Sequence, residues 1–228
     1  MILFATFVTF SAVKFGFETV VVSALPLNGK IILIDAGHGQ PDGGAVGVSG
    51  LSEESLNLDV ALKLQQLLEQ SGAYVVMTRT DNNSVAENLD DKIRNIKLND
   101  MKTRKYLRDN SDCDIFVSIH MNKFEQQKYK GAQVFYSATG QNSKILAESI
   151  QNRIVTLADK SNTRIAKQAD KGIYLLKNAP VASVIAECGF LSNPEEEKKL
   201  SVQEYREQLA YAVYHGISDY FAKIQNGG

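Results

Sequence analysis

Cysteine is nearly absent from this chain: Cys113 and Cys188 are the only two. That rules out the disulfide framework by which small secreted domains replace a hydrophobic core. Whether the two thiols meet depends on distances that a sequence does not carry. An excess of one charge is missing too, since 25 Lys and Arg face 26 Asp and Glu for a net charge of −1. Such a balance offers no basic surface for a phosphate backbone, so no nucleic-acid partner is expected. Long apolar runs are also lacking. The most apolar stretch, residues 2–13, falls short of the about 20 residues a membrane-spanning helix needs. No internal repeat, low-complexity segment or second domain is visible. Histidine is scarce, with only His38, His120 and His215. What remains is ordinary: 228 residues, 44% of them hydrophobic, enough for one soluble domain with a real core.

The amino terminus reads as a segment apart. Residues 2–13 are apolar except for Thr6, Thr9 and Ser11, which is the length of a signal-peptide h-region. Val22-Ser23-Ala24 resembles a small-residue cleavage site. No Lys or Arg precedes Ile2, and Lys14 and Glu18 interrupt the path to Ala24, so an uncleaved membrane anchor or a disordered leader is the alternative. The expectation is a signal peptide or membrane leader and linker over residues 1–29, the linker being Pro26-Leu-Asn-Gly29. Residues 30–226 then form the catalytic domain, exported, with membrane contact through the leader alone.

Within that domain, apolar runs alternate with helical periodicity. Strands are expected at residues 30–35, 73–78, 115–120, 132–136, 173–176 and 181–188. Helices are expected at residues 54–70, 84–108 (one helix or a pair), 142–157 and 195–224. The charges of the second helical segment, among them Lys92, Arg94, Lys97, Lys102 and Arg104, suggest a solvated face. The alternation predicts an α/β fold, a single domain with a twisted, mostly parallel sheet flanked by helices on both faces.

Two of the three histidines end strands. Ile31-Leu-Ile-Asp-Ala-Gly-His38-Gly39 is a buried-strand pattern that breaks at a turn, with Gly37 and Gly39 letting the backbone bend. Ile115-Phe-Val-Ser-Ile-His120 ends the same way. Open α/β sheets keep their chemistry beyond the carboxyl ends of the strands. A catalytic zinc takes three protein ligands and leaves one position open. His38 and His120 supply two, and spacing leaves four carboxylates open as the third: Glu53, Glu54, Asp35 and Asp42. Glu187 ends the apolar strand Val184-Ile-Ala-Glu187, where an acid is costly unless it faces a cavity or partner, and partial burial there would suit it to proton transfer. A structural ion pair is the alternative. Cys188, with His120 as base, is a rival nucleophile. Strand alternation turns it away from the face of Glu187 and into the core. His215 lies among Tyr211, Tyr214 and Tyr220 and is expected to be packed or at the surface.

Four segments in this order resemble the zinc-dependent N-acetylmuramoyl-L-alanine amidases of type 3: Ile34-Asp-Ala-Gly-His38-Gly, Gly50-Leu-Ser-Glu53-Glu-Ser-Leu-Asn57-Leu, Val117-Ser-Ile-His120-Met-Asn122 and Ala186-Glu187-Cys-Gly-Phe-Leu-Ser-Asn-Pro194. The likeness spans about residues 30–224. It implies Zn²⁺ as cofactor with His38, Glu53 and His120 as ligands, Glu187 as catalytic acid–base, and Asn122 as a residue contacting substrate. The implied reaction is hydrolysis of the amide between muramic acid and L-alanine in peptidoglycan. A peptidase cutting within the stem peptide and a non-catalytic wall binder are the alternatives on such a scaffold. Ala36 and Met121 depart from the usual pattern without removing a ligand. Lys123-Phe124, Tyr129, Gly131-Ala-Gln133 and Phe135-Tyr136 are similar to the spore-cortex amidases of endospore formers. That narrower likeness implies action on cortex peptidoglycan in the intermembrane (cortex) space of the forespore, preparation for muramic-δ-lactam, and a spore lipoprotein as partner.

Overall fold

The computed structural model describes residues 26–86, 88–89 and 91–226. The expected export segment and cleavage site lie outside these residues. Among the described residues no helix is long and apolar enough to cross a membrane.

The elements run β1 (Ile31–Ala36), α1 (Glu53–Gln70), β2 (Tyr74–Met77), α2 (Ile93–Asn110), β3 (Ile115–Asn122), β4 (Gln133–Tyr136), α3 (Ser143–Arg153), β5 (Lys167–Gln168), β6 (Ala182–Phe190), α4 (Pro194–Ser201) and α5 (Gln203–Asn226). They build one sheet of six strands in the order β2-β1-β3-β6-β4-β5. All neighbours are parallel except β4 and β6, which run antiparallel. This is the expected single-domain α/β architecture. Period-two alternation divides its core. Ile32 and Ile34 of β1, Val117 and Ile119 of β3, and Val184, Ala186 and Cys188 of β6 pack with Leu64 and Leu68 of α1, Ile150 of α3, and Leu209, Val213 and Ile217 of α5. Leu33 and Phe116 point the other way, into a smaller cluster with Cys113 and Leu107. Each such side chain, fully buried, contributes about 1.5–3 kcal/mol. The two cysteines are free, and both are buried.

Several elements differ from the sequence reading, each for a local reason. The described residues of the stretch before α2, 84–86, 88–89 and 91–92, are not helical: Ser84 Oγ and the Val85 N–H both donate to the carboxylate of Asp100, at 2.5 and 3.1 Å, and hold this stretch against α2 instead. Residues 173–176 are no strand. Tyr174–Leu176 is a 3-10 turn that buries Leu175 and Leu176 against Ile185; short apolar runs do not distinguish these outcomes. The helix expected to run to residue 157 changes winding after Arg153, and Ile154–Ala158 is a π turn. The closing helix is two. The side chain of Asn193 caps α4 by accepting from the Glu195 and Glu196 N–H groups, with Pro194 in the first turn. At the far end Val202 is extended, and the freed carbonyl of Leu200 accepts from Arg206 Nη1 at 2.7 Å. The two-residue strand β5 had no periodicity to announce it. The turn at residues 26–29 is tied down, with Leu27 buried in the main core and the Gly29 N–H bonded to the Gly72 carbonyl.

Candidate active site

Chain direction creates the site. From β1 the chain passes through α1 to β2 on one side, then through α2 to β3 on the other side of β1. The carboxyl ends of β1 and β3 flank this switch point, where open α/β sheets bind ligands. His38 lies two residues past β1 and His120 lies near the end of β3. Their rings meet edge to face with centroids 5.0 Å apart. Gly37 allows this approach, since a Cβ there would stand 2.3 Å from His120 Nε2. The left-handed conformation falls on His38 itself, at φ 60°, a strained setting for a residue with a side chain.

Glu53 opens α1, where an acid also favours the positive end of the helix. Its backbone N–H is satisfied by the Ala45 carbonyl at 2.8 Å, which folds the 39–52 loop back over the site. The Glu53 carboxylate lies between the two imidazoles, with Oε2 3.2 Å from His38 Nε2 and Oε1 2.9 Å from His120 Nδ1. Backbone N–H groups of Ala45 (2.8 Å) and Met121 (3.1 Å) also donate to it.

Of the four carboxylates left open by spacing, Glu53 alone joins both histidines. Asp42 orients the first of them, its Oδ2 3.0 Å from His38 Nδ1. Glu54 accepts from Gln40 Nε2 at 2.9 Å. Asp35 is fully buried on the α2 side, accepting from Ser118, Thr78 and Arg104. Arg104 therefore does not belong to a solvated face: it is 2% exposed. It bonds Asp35, Asp100, the Ala36 carbonyl and the His38 carbonyl, and so pins the strained turn from behind. Arg79 adds bonds to the carbonyls of Ala36, Gly37 and Glu54 at 2.7–2.9 Å. Sequence reasoning missed both arginines. The available signal was spacing, because Ile96, Asp100, Arg104 and Arg108 recur every fourth residue and form the buried stripe of α2.

Glu187 stands opposite His120 in the β3–β6 register and opposite Gln133 in the β4–β6 register. Residues paired this way leave the same face of the sheet. Burial raises the Glu187 pKa to about 7, with His120 and His38 opposing the shift and Glu53 adding to it. Its Oε2 is buried without a hydrogen-bond partner among the described residues. Cys188 points into the core, and burial pushes its thiol up to about 12, which leaves it inert as a nucleophile. His215 packs between Tyr211 and Tyr214, remote from this chemistry. Asn122 is half-buried at the end of β3, its carbonyl accepting from the Leu191 N–H.

His38, Glu53 and His120 offer one ligand atom each, and these atoms all lie within 4.8 Å of one another. The donor set suits a metal ion. Two imidazole nitrogens and a carboxylate oxygen are the donors a catalytic zinc takes, and three of them leave a position free. The bond from His38 Nδ1 to Asp42 leaves Nε2 directed at the cluster, the usual outer support of a metal-bound histidine. The site also favours positive charge. Burial opposes a proton on His38, yet Asp42 and Glu53 outweigh it and push the pKa up to about 10. Burial likewise opposes the charge on Glu53, and the two histidines hold its carboxyl well below the usual range.

Comparison with known proteins agrees with this geometry. The model of the N-acetylmuramoyl-L-alanine amidase family, a metal-dependent one, matches residues 32–219. The germination-specific N-acetylmuramoyl-L-alanine amidase of Bacillus subtilis (strain 168) is 38% identical over 200 residues, covering 88% of this chain and 83% of that protein. Among solved structures, the CwlD amidase from Clostridioides difficile in complex with the GerS lipoprotein is 44% identical with a TM-score of 0.82, over 86% of this chain and 100% of that one. An N-acetylmuramoyl-L-alanine amidase from Clostridium difficile 630 is 29% identical with a TM-score of 0.73, over 88% of this chain and 100% of that one. Likeness on this scale, over the fold that carries the histidine–glutamate cluster, makes the chain a member of the N-acetylmuramoyl-L-alanine amidase family and an enzyme of that activity.

Proposed function

We propose that this amidase is a zinc enzyme of the spore cortex. It would cleave the bond between muramic acid and L-alanine there, so that the stripped muramic acid can go on to muramic-δ-lactam. Residues 30–226 are the catalytic domain in this reading. Residues 1–29 are the leader and linker that carry it to the space where cortex is laid down. A lipoprotein partner follows by analogy with the CwlD complex.

One observation carries the chemistry: a half-buried carboxyl group with a pKa near 7, in register with a histidine of the His38–Glu53–His120 cluster. In this mechanism His38, Glu53 and His120 would hold Zn²⁺. When bound, zinc supplies Lewis acidity that polarises a carbonyl and makes water acidic near neutral pH. Glu187 takes the proton of the attacking water and returns it to the leaving nitrogen of L-alanine, which would otherwise depart as an amide anion. A carboxyl with a pKa near 7 accepts and releases a proton with comparable ease at neutral pH. Asp42 fixes the His38 ring, and the N–H groups of Ala45 and Met121 fix Glu53, so the cluster is organised before substrate arrives. Asn122, at the rim beyond His120, contacts the substrate.

Muropeptide analysis of the native host during sporulation tests the biological part. A strain carrying Glu187→Gln should make cortex that keeps its stem peptides and lacks muramic-δ-lactam. Wild-type levels of the lactam would contradict the proposal.

A further inference from the structure

Arg164 differs from the other buried or half-buried arginines. Arg104, Arg108, Arg153 and Arg206 each have a carboxylate partner, and Arg79 is enclosed by carbonyls. Among the described residues no carboxylate lies within 4.0 Å of Arg164, although its guanidinium is held on three sides. Nε donates to the Lys130 carbonyl at 2.7 Å, Nη1 donates to Gln133 Oε1 at 2.8 Å, and the group lies over the Phe190 ring, 4.7 Å from its centroid. Its backbone is fixed as well. Buried Asn162 accepts from the Arg164 N–H at 3.0 Å and donates to the Ala132 carbonyl at 2.8 Å. The structure therefore orders a long side chain and leaves Nη2 and the full charge unanswered. Ordering such a side chain costs rotamer entropy, and an ordered, half-buried cation without an anion is a site poised to receive one.

Its position says which anion. Gln133, which Arg164 grips, pairs directly with Glu187 across β4 and β6. Directly opposed residues have Cα atoms about 4.5–5.5 Å apart and project from the same face. Arg164 thus stands about one residue's reach from the reacting carboxyl, on its side of the sheet and next to the aromatic wall of Phe190 and Tyr129.

We propose that Arg164, braced by Gln133 and Phe190, is the subsite that binds the free carboxylate of the residue following L-alanine in the stem peptide. This rests on the amidase reading and extends it from the bond cut to the peptide recognised. A guanidinium fork matches a carboxylate and not a carboxamide, which would present an N–H to a donor. The site therefore discriminates stem peptides by whether that carboxyl is free or amidated.

The experiment compares two soluble glycan-linked stem peptides, identical except for a carboxylate or a carboxamide on the second residue, using the zinc-loaded wild-type enzyme and Arg164 variants. The readout is the ratio of kcat/KM, acid over amide. The wild type should favour the acid about 10–100-fold, chiefly through KM, the range expected of a hydrogen bond to a charged group. In Arg164→Gln the ratio should fall toward one. Arg164→Lys, which keeps the charge and loses the fork, should give an intermediate ratio and serves in its place if the glutamine variant does not fold. A wild-type ratio near one would overturn the subsite. So would variants that slow both substrates equally, since Arg164 would then only brace the loop. Failure of the wild type to cleave either substrate would strike the amidase reading itself.

Discussion

Glu187 occupies a position where an acid is expensive and useful. The strand that delivers it is otherwise apolar, burial raises its pKa to about 7, and Oε2 has no partner among the described residues. Structural acids of this fold behave differently: Asp35 is buried more deeply still, yet Arg104, Ser118 and Thr78 hold its pKa below the aspartate value. The contrast sets the proposed proton carrier apart from an ion-pair anchor. Glu187→Gln should keep bound metal, measured by elemental analysis, while turnover falls about 10²–10⁴-fold; near-native turnover in the metal-replete variant would remove its role. Cys188→Ser should leave activity largely intact, because the thiol faces the core and not the cluster; collapse of turnover with fold and metal preserved would restore a thiol mechanism.

Helix α2 was the element hardest to read. Its buried stripe is charged, and a run of Arg and Lys at helical spacing ordinarily means solvent. What buries it is the sheet: Asp35, the penultimate residue of β1, directs its carboxylate at α2, and Arg104 answers it while holding the carbonyls of Ala36 and His38. A single sequence shows the charges but not the pairing, which joins residues 69 apart. Arg104→Met should destabilise the protein by about 3–5 kcal/mol in chemical denaturation, since it strands a buried carboxylate. Adding Asp35→Asn should recover part of that loss if the two act as a pair. The pH dependence has a definite sign. With its pKa depressed in the fold, Asp35 contributes stability that is complete above the unfolded value of about 3.8 and is lost as pH falls through the lower folded value. Wild-type stability should therefore drop in that acid window. An equal drop in the Arg104→Met, Asp35→Asn double variant would assign the effect to other carboxylates.

At the scale of the whole molecule, the strands were legible because buried strands are near-continuous apolar runs, and five of the six expected segments match β1, β2, β3, β4 and β6 within two residues. The histidines were legible because strand ends at the carboxyl edge are where this architecture does chemistry. Choice among Glu53, Glu54, Asp35 and Asp42 was not legible from spacing, since it depends on a loop that folds Glu53 back between the two rings through the Ala45 bond. Nor was the strain on His38, which Arg104 and Asp42 hold in place from elements before and after it in space. The central claim joins these scales: three residues, from a loop, the first turn of a helix and a strand, hold one metal, and Glu187 beside them moves the proton. Mass spectrometry of peptides released from spore-cortex peptidoglycan by the zinc-loaded enzyme tests it most directly, beside a chelated control and the same control with zinc restored. The account predicts stem peptides with an unblocked L-alanine amino terminus, lost on chelation and regained with zinc. Equal release from the chelated enzyme, or peptides cut within the stem, would contradict it.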